Sequence, residues 1–514
     1  MSELSDILGA YGASADVSKS LHKKLDDSTA VAPVTTPHHK QSHSLTRRRQ
    51  YAVPGSGSAA VRGPDTPSSF TNQKQTPASQ RFESRQNSGT VSATLNDSNL
   101  PVPSSWRGTC SQVCLSSVER TSVVAKPYAY MFQKVSSKVA ALDDWLAELE
   151  DHFAKALELP DRGHPGVASQ TEMTTVGRVC CDCESERVRA NASSLVLECS
   201  SEFAGCRVPL NLKSVTDASL FPGQVVALDG MNTVGNEFCV SKVHKLPVPP
   251  LPAPATIAEP LSIAIAAGPF SVDDNLTYQP LIELMAKVAE EPPDVLLLIG
   301  PFVDTNSEEV KKCSVDMLYD DFFRALIEQK IVSQLPASTH LVLVPSSRDI
   351  HHHSVYPQPP FASWSALKKD NIHLFSDPAC VSINGVVLGW TSVDVLMQLN
   401  RQEVVLGNAG DKQSRLPAHI LQQRSFCPTF PPPKGVNMEV DQLLMEHNFM
   451  PCTPHVLILP SDFTRGFIKN VNGCVCINPS RLSKGLFSRM LIKPSSSAAG
   501  SSLASTSVTQ LVNI

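Results

Sequence analysis

The sequence predicts a multidomain α+β protein: a small five-stranded barrel, then a layered α/β domain, both behind a disordered N-terminal linker. Three observations carry this. Forty prolines in 514 residues point to long irregular stretches rather than one seamless globule. Five short strand-like runs crowd into residues 171–245. From residue 261 onward, continuous apolar runs alternate with helical periodicity.

Bulk properties exclude several classes. The formal net charge of −5 argues against a surface built throughout to grip nucleic acid. No apolar run reaches the roughly 18–20 residues of a membrane-spanning helix, and the N-terminus, with Glu3 and Asp6, lacks the apolar core of a signal peptide. The 14 scattered cysteines read as reduced thiols buried as small hydrophobes.

The elements follow in order. Residues 1–27 carry a weak helical pattern in Leu4, Ile7, Leu8, Val17, Leu21 and Leu25, a short N-terminal helical remnant with too little apolar surface for a domain. Residues 28–108 are rich in Ser, Thr and Pro and cannot bury enough surface to offset their ordering entropy, so they read as disordered. Nine basic residues against three acidic ones give this linker a local charge of +6, and Arg47–Arg49 is its densest run. Three Thr-Pro pairs, at Thr36, Thr66 and Thr76, are candidate phosphorylation sites. Residues 109–170 form a lead-in with an amphipathic helix over 127–159, where Val135, Val139, Leu142, Leu146, Leu149, Phe153 and Leu157 recur at three- and four-residue steps. That stripe is expected to pack on the next domain.

Within 171–245 the strands are placed at Val176–Cys183, Ser194–Ser200, Arg207–Leu212, Gln224–Asp229 and Glu237–Val243, with turns at Pro222-Gly223 and Asp229-Gly230. Five such strands suggest an OB-fold domain. Residues 246–260 read as a stiff Pro-rich linker. In 261–514, Leu261–Ala267, Val295–Ile299, His340–Val344, Val386–Leu388, Val456–Leu459, Gly473–Ile477 and Val508–Val512 read as buried strands, with helices at Tyr278–Glu290 and Leu318–Leu335.

Open α/β sheets place ligands just past their strand ends. There the layout resembles a calcineurin-like metallophosphoesterase, whose carboxylates and imidazoles clamp two metal ions. The ligands are lost. Ala267-Gly268-Pro269 stands where Asp-x-His is expected, and Pro301 replaces the bridging Asp. Ser347-Arg348-Asp349 replaces Asn-His-Asp, and Pro460-Ser461-Asp462 replaces Gly-His-x-His. Asp304 and Asp349 survive, while Arg348 brings a positive charge to where a cation would sit. The resemblance therefore implies an inactivated calcineurin-like phosphoesterase α/β sandwich with no catalytic residues, no metal and no cofactor. The run His351–His353 reads as a packed loop, because consecutive side chains diverge. Cys180-x-x-Cys183 lacks a matching second pair, since Cys199 and Cys206 are too far apart for a zinc ribbon.

A more specific resemblance spans residues 127–514. Gly268-Pro269-Phe270, Tyr278, Gly300-Pro301-Phe302, His351-His352, Tyr356-Pro357-Gln358-Pro359-Pro360-Phe361 and Asn478-Pro479 resemble motifs of the B subunits of DNA polymerase α–primase, as do Tyr130–Lys134 and Leu220–Val226. B subunits of polymerases δ and ε resemble the same domain pair and are the nearest rivals. The resemblance implies a non-catalytic nuclear scaffold that cradles the zinc-bearing C-terminal domain of the polymerase catalytic subunit and tethers it to primase. It implies at most weak or indirect contact with DNA and no membrane. The family usually opens with a folded helical domain, of which only residues 1–27 would remain here.

Overall fold

The computed structural model describes residues 77–96, 100–125, 127–159, 162–182, 189–253, 257–446, 450–494 and 503–514. All belong to one unit, residues 74–514. The N-terminal remnant, the Arg47–Arg49 run, the three threonines and Cys183 lie outside the described residues.

The chain first straps itself to the sandwich. Helix α1 (Ala78–Glu83) buries Phe82 in the sandwich core, and Ser79 donates to Asp274 at 2.8 Å. Strand β1 (Val91–Leu95) pairs antiparallel with β20 (Ser507–Asn513), and β2 (Leu115–Ser117) pairs antiparallel with β13 (Ala379–Ile383). Helix α1 and strand β1 correct the expectation that all of 28–108 is disordered. The segment has little apolar surface of its own, but the β20 edge supplies its strand with hydrogen bonds.

Helix α2 runs over Val135–Leu157 and ends at Glu158 in the left-handed region, φ 52°. Its C-terminal half buries Leu146, Leu149 and Phe153 against Val176, Val225, Ala227 and Leu246. Val139, expected to pack with them, is 60% exposed, because the barrel strands meet only that later half.

The barrel closes in the order β3-β4-β5-β8-β7, with β3 (Met173–Cys181), β4 (Leu195–Glu198), β5 (Arg207–Asn211), β7 (Val225–Met231) and β8 (Phe238–His244). Val179, Leu197, Val208, Leu210, Leu228 and Phe238 fill it. All five expected strands are present. The short β6 (Ala218–Leu220) leaves the barrel to pair with β15 (Val404–Leu406) of the sandwich. Beside it, Gly223 sits at φ 102°, and a Cβ there would come within 2.3 Å of the Phe430 nitrogen.

The sandwich stacks two sheets between helices. Parallel strands β9 (Leu261–Ala267), β10 (Val295–Ile299), β11 (His340–Val344) and β12 (Ile372–Leu374) continue through β19 (Leu486–Ile492) to β20 and β1. The second sheet runs β17-β18-β16-β14-β13-β2, with β14 (Val386–Trp390), β16 (Val456–Ile458), β17 (Phe467–Val471) and β18 (Cys474–Asn478). Alternate residues divide the labour, as the two-residue strand period requires. Ile263, Ile265, Leu297 and Ile299 face Leu388, Ile458, Val475 and Ile477 between the sheets. Ala264, Leu296 and Leu298 face outward onto Leu281, Leu284 and Met285 of α3 (Gln279–Glu290). Helix α4 (Tyr319–Leu326) continues only as a π turn to Val332, shorter than the expected helix to Leu335. On the other face, α5 (Val395–Gln402) and α6 (Lys412–Gln422) cover Leu457 and Cys476.

Candidate functional site

Six loops converge where the parallel strands end. Gly268 follows β9, Asp304 follows β10, Arg348 and Asp349 follow β11, Asp394 follows β14, Asp462 follows β16 and Arg481 follows β18. Glycine is required at the first two loops. A Cβ on Gly268 would lie 2.0 Å from the Pro301 carbonyl oxygen, and one on Gly300 would lie 2.5 Å from Asp349 Oδ2. Pro269, Pro301 and Ser461 are buried, and the two prolines carry no ligand atom in their side chains. Ser461 donates its N–H to Asn478 Oδ1 at 3.0 Å.

Charge in this cluster is internally balanced. The Arg348 guanidinium grips Asp304 with two nitrogens, Nε at 3.1 Å and Nη2, and reaches Asp462 at 3.7 Å. Arg481, only 1% exposed, donates through Nε to Asp462 at 3.2 Å, approaches Asp394 at 3.9 Å and donates to the Gly268 carbonyl at 3.3 Å. Lys484 lies 3.8 Å from Asp462. Three carboxylates thus meet three cations, and the buried Arg481 and half-buried Arg348 are both planar forks suited to carboxylates. Burial pushes Asp462 upward, but Arg481, Arg348 and Lys484 outweigh it and hold its carboxyl below the ordinary range. Burial pulls Arg481 down against the same partners.

Asp349 plays a different part. Burial pushes it up to about 7, although it accepts backbone N–H bonds from Phe302 at 2.5 Å, Val303 at 2.9 Å and Ser346 at 2.9 Å. Its hydrogen bonds tie the β10 and β11 loops together, and none of them points at open space. Among the described residues, no group of three or more His, Cys, Asp or Glu side chains is placed to hold an ion.

The remaining motif residues are packing elements. The Tyr278 hydroxyl donates to the Phe302 carbonyl at 2.9 Å. Tyr356, fully buried, bonds Thr391 at 3.0 Å, and Gln358 donates to the Ser346 and His353 carbonyls at 3.1 and 2.7 Å. Pro357 and Pro359 are buried, Pro360 is half-buried, and Phe361 joins the core. His351 stacks on Phe323 with centroids 3.8 Å apart, and burial drives its imidazole down to about 3. His352 bonds the Pro359 carbonyl at 2.8 Å. Asn478 binds the Ser461 and Ser480 N–H groups, beside buried Pro479. Cys180 donates to Glu198 at 3.1 Å rather than to another thiolate.

Sequence reasoning named Pro301, Asp304, Arg348, Asp349 and Ser461 at this centre. It missed Arg481, Asp394 and Lys484. Arg481 lies 133 positions from Arg348 in the chain, so no local spacing links them.

A closed five-stranded barrel is thus hydrogen-bonded to a two-sheet sandwich whose strand ends are neutralised from within. Residues 263–469 match the B-subunit family of DNA polymerases alpha and epsilon, and residues 139–246 match the OB domain of the DNA polymerase alpha B subunit. The chain is 34% identical to the DNA polymerase alpha B subunit of Mus musculus, over 83% of this chain and 72% of that one. It is 32% identical to the Rattus norvegicus protein, covering 90% and 77% of the two chains. It is 30% identical to the Schizosaccharomyces pombe protein, covering 82% and 77%. The chain belongs to the family of DNA polymerase alpha B subunits.

Proposed function

We propose that this chain is the accessory subunit of a DNA polymerase α–primase complex, in which barrel and sandwich form one scaffold for the C-terminal domain of the polymerase catalytic subunit and hold it beside primase. Family membership supports the accessory role. The seam between the domains supports rigidity. Glu403 pairs with Arg415 at 2.7 and 3.0 Å and binds Ser219 of β6, and Gln423 exchanges hydrogen bonds with the Val225 backbone at 2.8 and 2.9 Å.

In this reading the sandwich is a calcineurin-like phosphoesterase domain that has lost catalysis, and it takes no metal. The observation that carries this is the pair Arg348 and Arg481, whose guanidinium groups occupy the carboxylates that a metal would need. The protein would act in the nucleus, with any DNA contact weak or indirect. Phosphorylation of Thr36, Thr66 and Thr76 would bring the basic linker close to neutral, since each phosphate adds about −1.5 to −2 charges.

The test is co-expression of the full chain with the catalytic subunit and primase subunits of its own source. A stable stoichiometric complex is expected, with no hydrolysis of an aryl phosphate in manganese. Failure to assemble, or two transition ions per purified chain, overturns the reading. Phosphopeptide mapping in synchronised cells checks the three threonines.

A further inference from the structure

The strap at the start of the described chain is held down by few groups. Helix α1 buries one side chain, Phe82, while Gln80, Arg81, Glu83 and Ser84 are exposed. Arg85 then grips Glu283 of α3 and donates to the Ile514 carbonyl at 2.9 Å. Beyond it Asn87 donates to Asn513 at 3.0 Å, and β1 lies along β20. Segments with so few buried apolar contacts open locally, at a free energy below that of global unfolding.

One hydroxyl forms the latch. Half-buried Ser79 donates its backbone N–H at 3.0 Å and its Oγ–H at 2.8 Å to the same oxygen of Asp274, in the loop between β9 and α3. Among the described hydroxyls of α1 and β1 it is the one bonded to a carboxylate; Ser84 and Thr90 bond backbone carbonyls, and Ser92 accepts from Asn513. Burial pushes Asp274 up, but hydrogen bonds from Ser79 outweigh it and hold its carboxyl below the ordinary range. At neutral pH it therefore only accepts.

The surroundings would repel a further anion. Asp273 adjoins Asp274, and the Glu308 N–H donates to the Asp273 carbonyl at 3.1 Å, which brings a third acidic residue to the loop. Among the described residues neither Asp273 nor Asp274 has a basic side chain within ion-pair distance. On α1, Glu83 lies four positions beyond Ser79 and shares its side of the helix, whereas Arg81, two beyond, does not. Arg85 is committed to Glu283.

We propose that Ser79 is a phosphorylation site whose modification unclips α1 and β1 from the sandwich. The hydroxyl is presented when α1 opens locally. A protein kinase then transfers the γ-phosphoryl group of ATP to it. The Oγ–P bond forms as the bond to the β-phosphate breaks, ADP leaves, and the hydroxyl proton passes to the kinase's catalytic base. The product has lost its donor and carries about −1.5 to −2 charges, so closing again would set phosphate against the Asp274 carboxylate. The helix dipole favours an anion in the first turn whether α1 is docked or free, so it does not restore the contact. Opening bares the edge of β20 along Thr509–Val512 and the socket of Phe82. The inference concerns the strap alone and stands or falls independently of the scaffold reading and of the linker threonines.

The test places phosphoserine at position 79 of the full chain by stop-codon suppression and follows amide hydrogen exchange. The amides that join β1 to β20 are expected to exchange at least about tenfold faster than in the parent, while β9 and β10 keep their protection. Ser79→Ala retains the backbone bond and adds no charge, so its acceleration should be at least about threefold smaller. Asp274→Asn in the phosphorylated chain removes the repulsion and should return β1 most of the way to the parent rate. Phosphopeptide mapping of the protein from dividing cells of its own source should find the mark on Ser79. Unchanged β1 exchange in the phosphoserine chain, equal acceleration by Ser79→Ala, no rescue by Asp274→Asn, or an unmodified Ser79 at every stage overturns the proposal. So does loss of protection in β9 and β10, which would make the strap part of the global core.

Discussion

The strand-end cluster and the approach to α2 treat their chemistry in opposite ways. At the strand ends three carboxylates meet three cations, and Asp349 spends its oxygens on backbone N–H groups. At the approach to α2 large apolar groups are left open, with Phe132 82% and Val135 80% exposed. The concave place where α/β proteins bind ligands is closed by its own side chains.

The largest test removes a buried cation. Arg481→Met keeps the stem but strips the charge that faces Asp462 and Asp394. Breaking a buried pair by deleting one partner costs about 3–5 kcal/mol. Thermal melting should fall sharply, whereas Phe132→Ala should stay within about 0.5 kcal/mol of the parent. If Arg481→Met melts like the parent, the cluster is not a structural cross-link.

A second test probes the seam that makes barrel and sandwich one body. Glu403 is 4% exposed and is held far below the ordinary carboxylate range: burial pushes it up, but hydrogen bonds from His419, Arg415 and Ser219 overcome that. Its contribution is present above the unfolded carboxylate range and is lost as pH falls below it. Glu403→Gln leaves Arg415 buried against a neutral group, at a cost of about 2–3 kcal/mol. Limited proteolysis should then cut the 246–260 connection faster than in the parent; an unchanged cleavage rate would mean the seam does not depend on this carboxylate.

These regions also mark how far the sequence could be read. All five barrel strands and the buried strands of the sandwich announce themselves, because burial on one or both faces writes a period into the chain. Strands β1 and β2 do not. Val91–Leu95 is half polar, and its order comes from β20, more than 400 residues away. The α2 stripe is visible in the sequence, but periodicity does not show where the barrel stops covering the helix, so Val139 reads as inward although it is exposed. At the strand ends the loss of ligands was legible position by position. The role of Arg481 was not, since its partnership with Asp462 and Asp394 exists only in the folded chain.

A smaller effect comes from acid. His340 Nδ1 and His373 Nε2 lie 3.0 Å apart on β11 and β12, with Asp294 the carboxylate acting on His340. Burial, then the neighbouring imidazole, drives His373 from 6.5 to about 4. Between those values the unfolded chain binds more protons than the folded one, so stability is lost as pH falls through that window. Asp349 and Asp377, both pushed up to about 7 by burial, act in the opposite direction. The informative quantity is therefore the difference from His373→Gln. The melting difference should be constant above pH 6.5 and move against the parent by on the order of 1–2 kcal/mol as the pH approaches 4. A flat difference would mean that burial does not depress the His373 imidazole.

The smallest effect separates strain from display. Met131 adopts φ 66° with its side chain 75% exposed, so the backbone bears the cost and the side chain gains little packing in return. Glycine takes this conformation freely, removing roughly 1 kcal/mol of strain. It also gives the unfolded chain more freedom, which offsets part of the gain. Met131→Gly should therefore stabilise the protein by roughly 0.5 kcal/mol in urea denaturation. If Met131→Gly lowers stability, the methionine is packing after all, and the contrast between the closed strand ends and the open helix narrows to Phe132, Val135 and Val139.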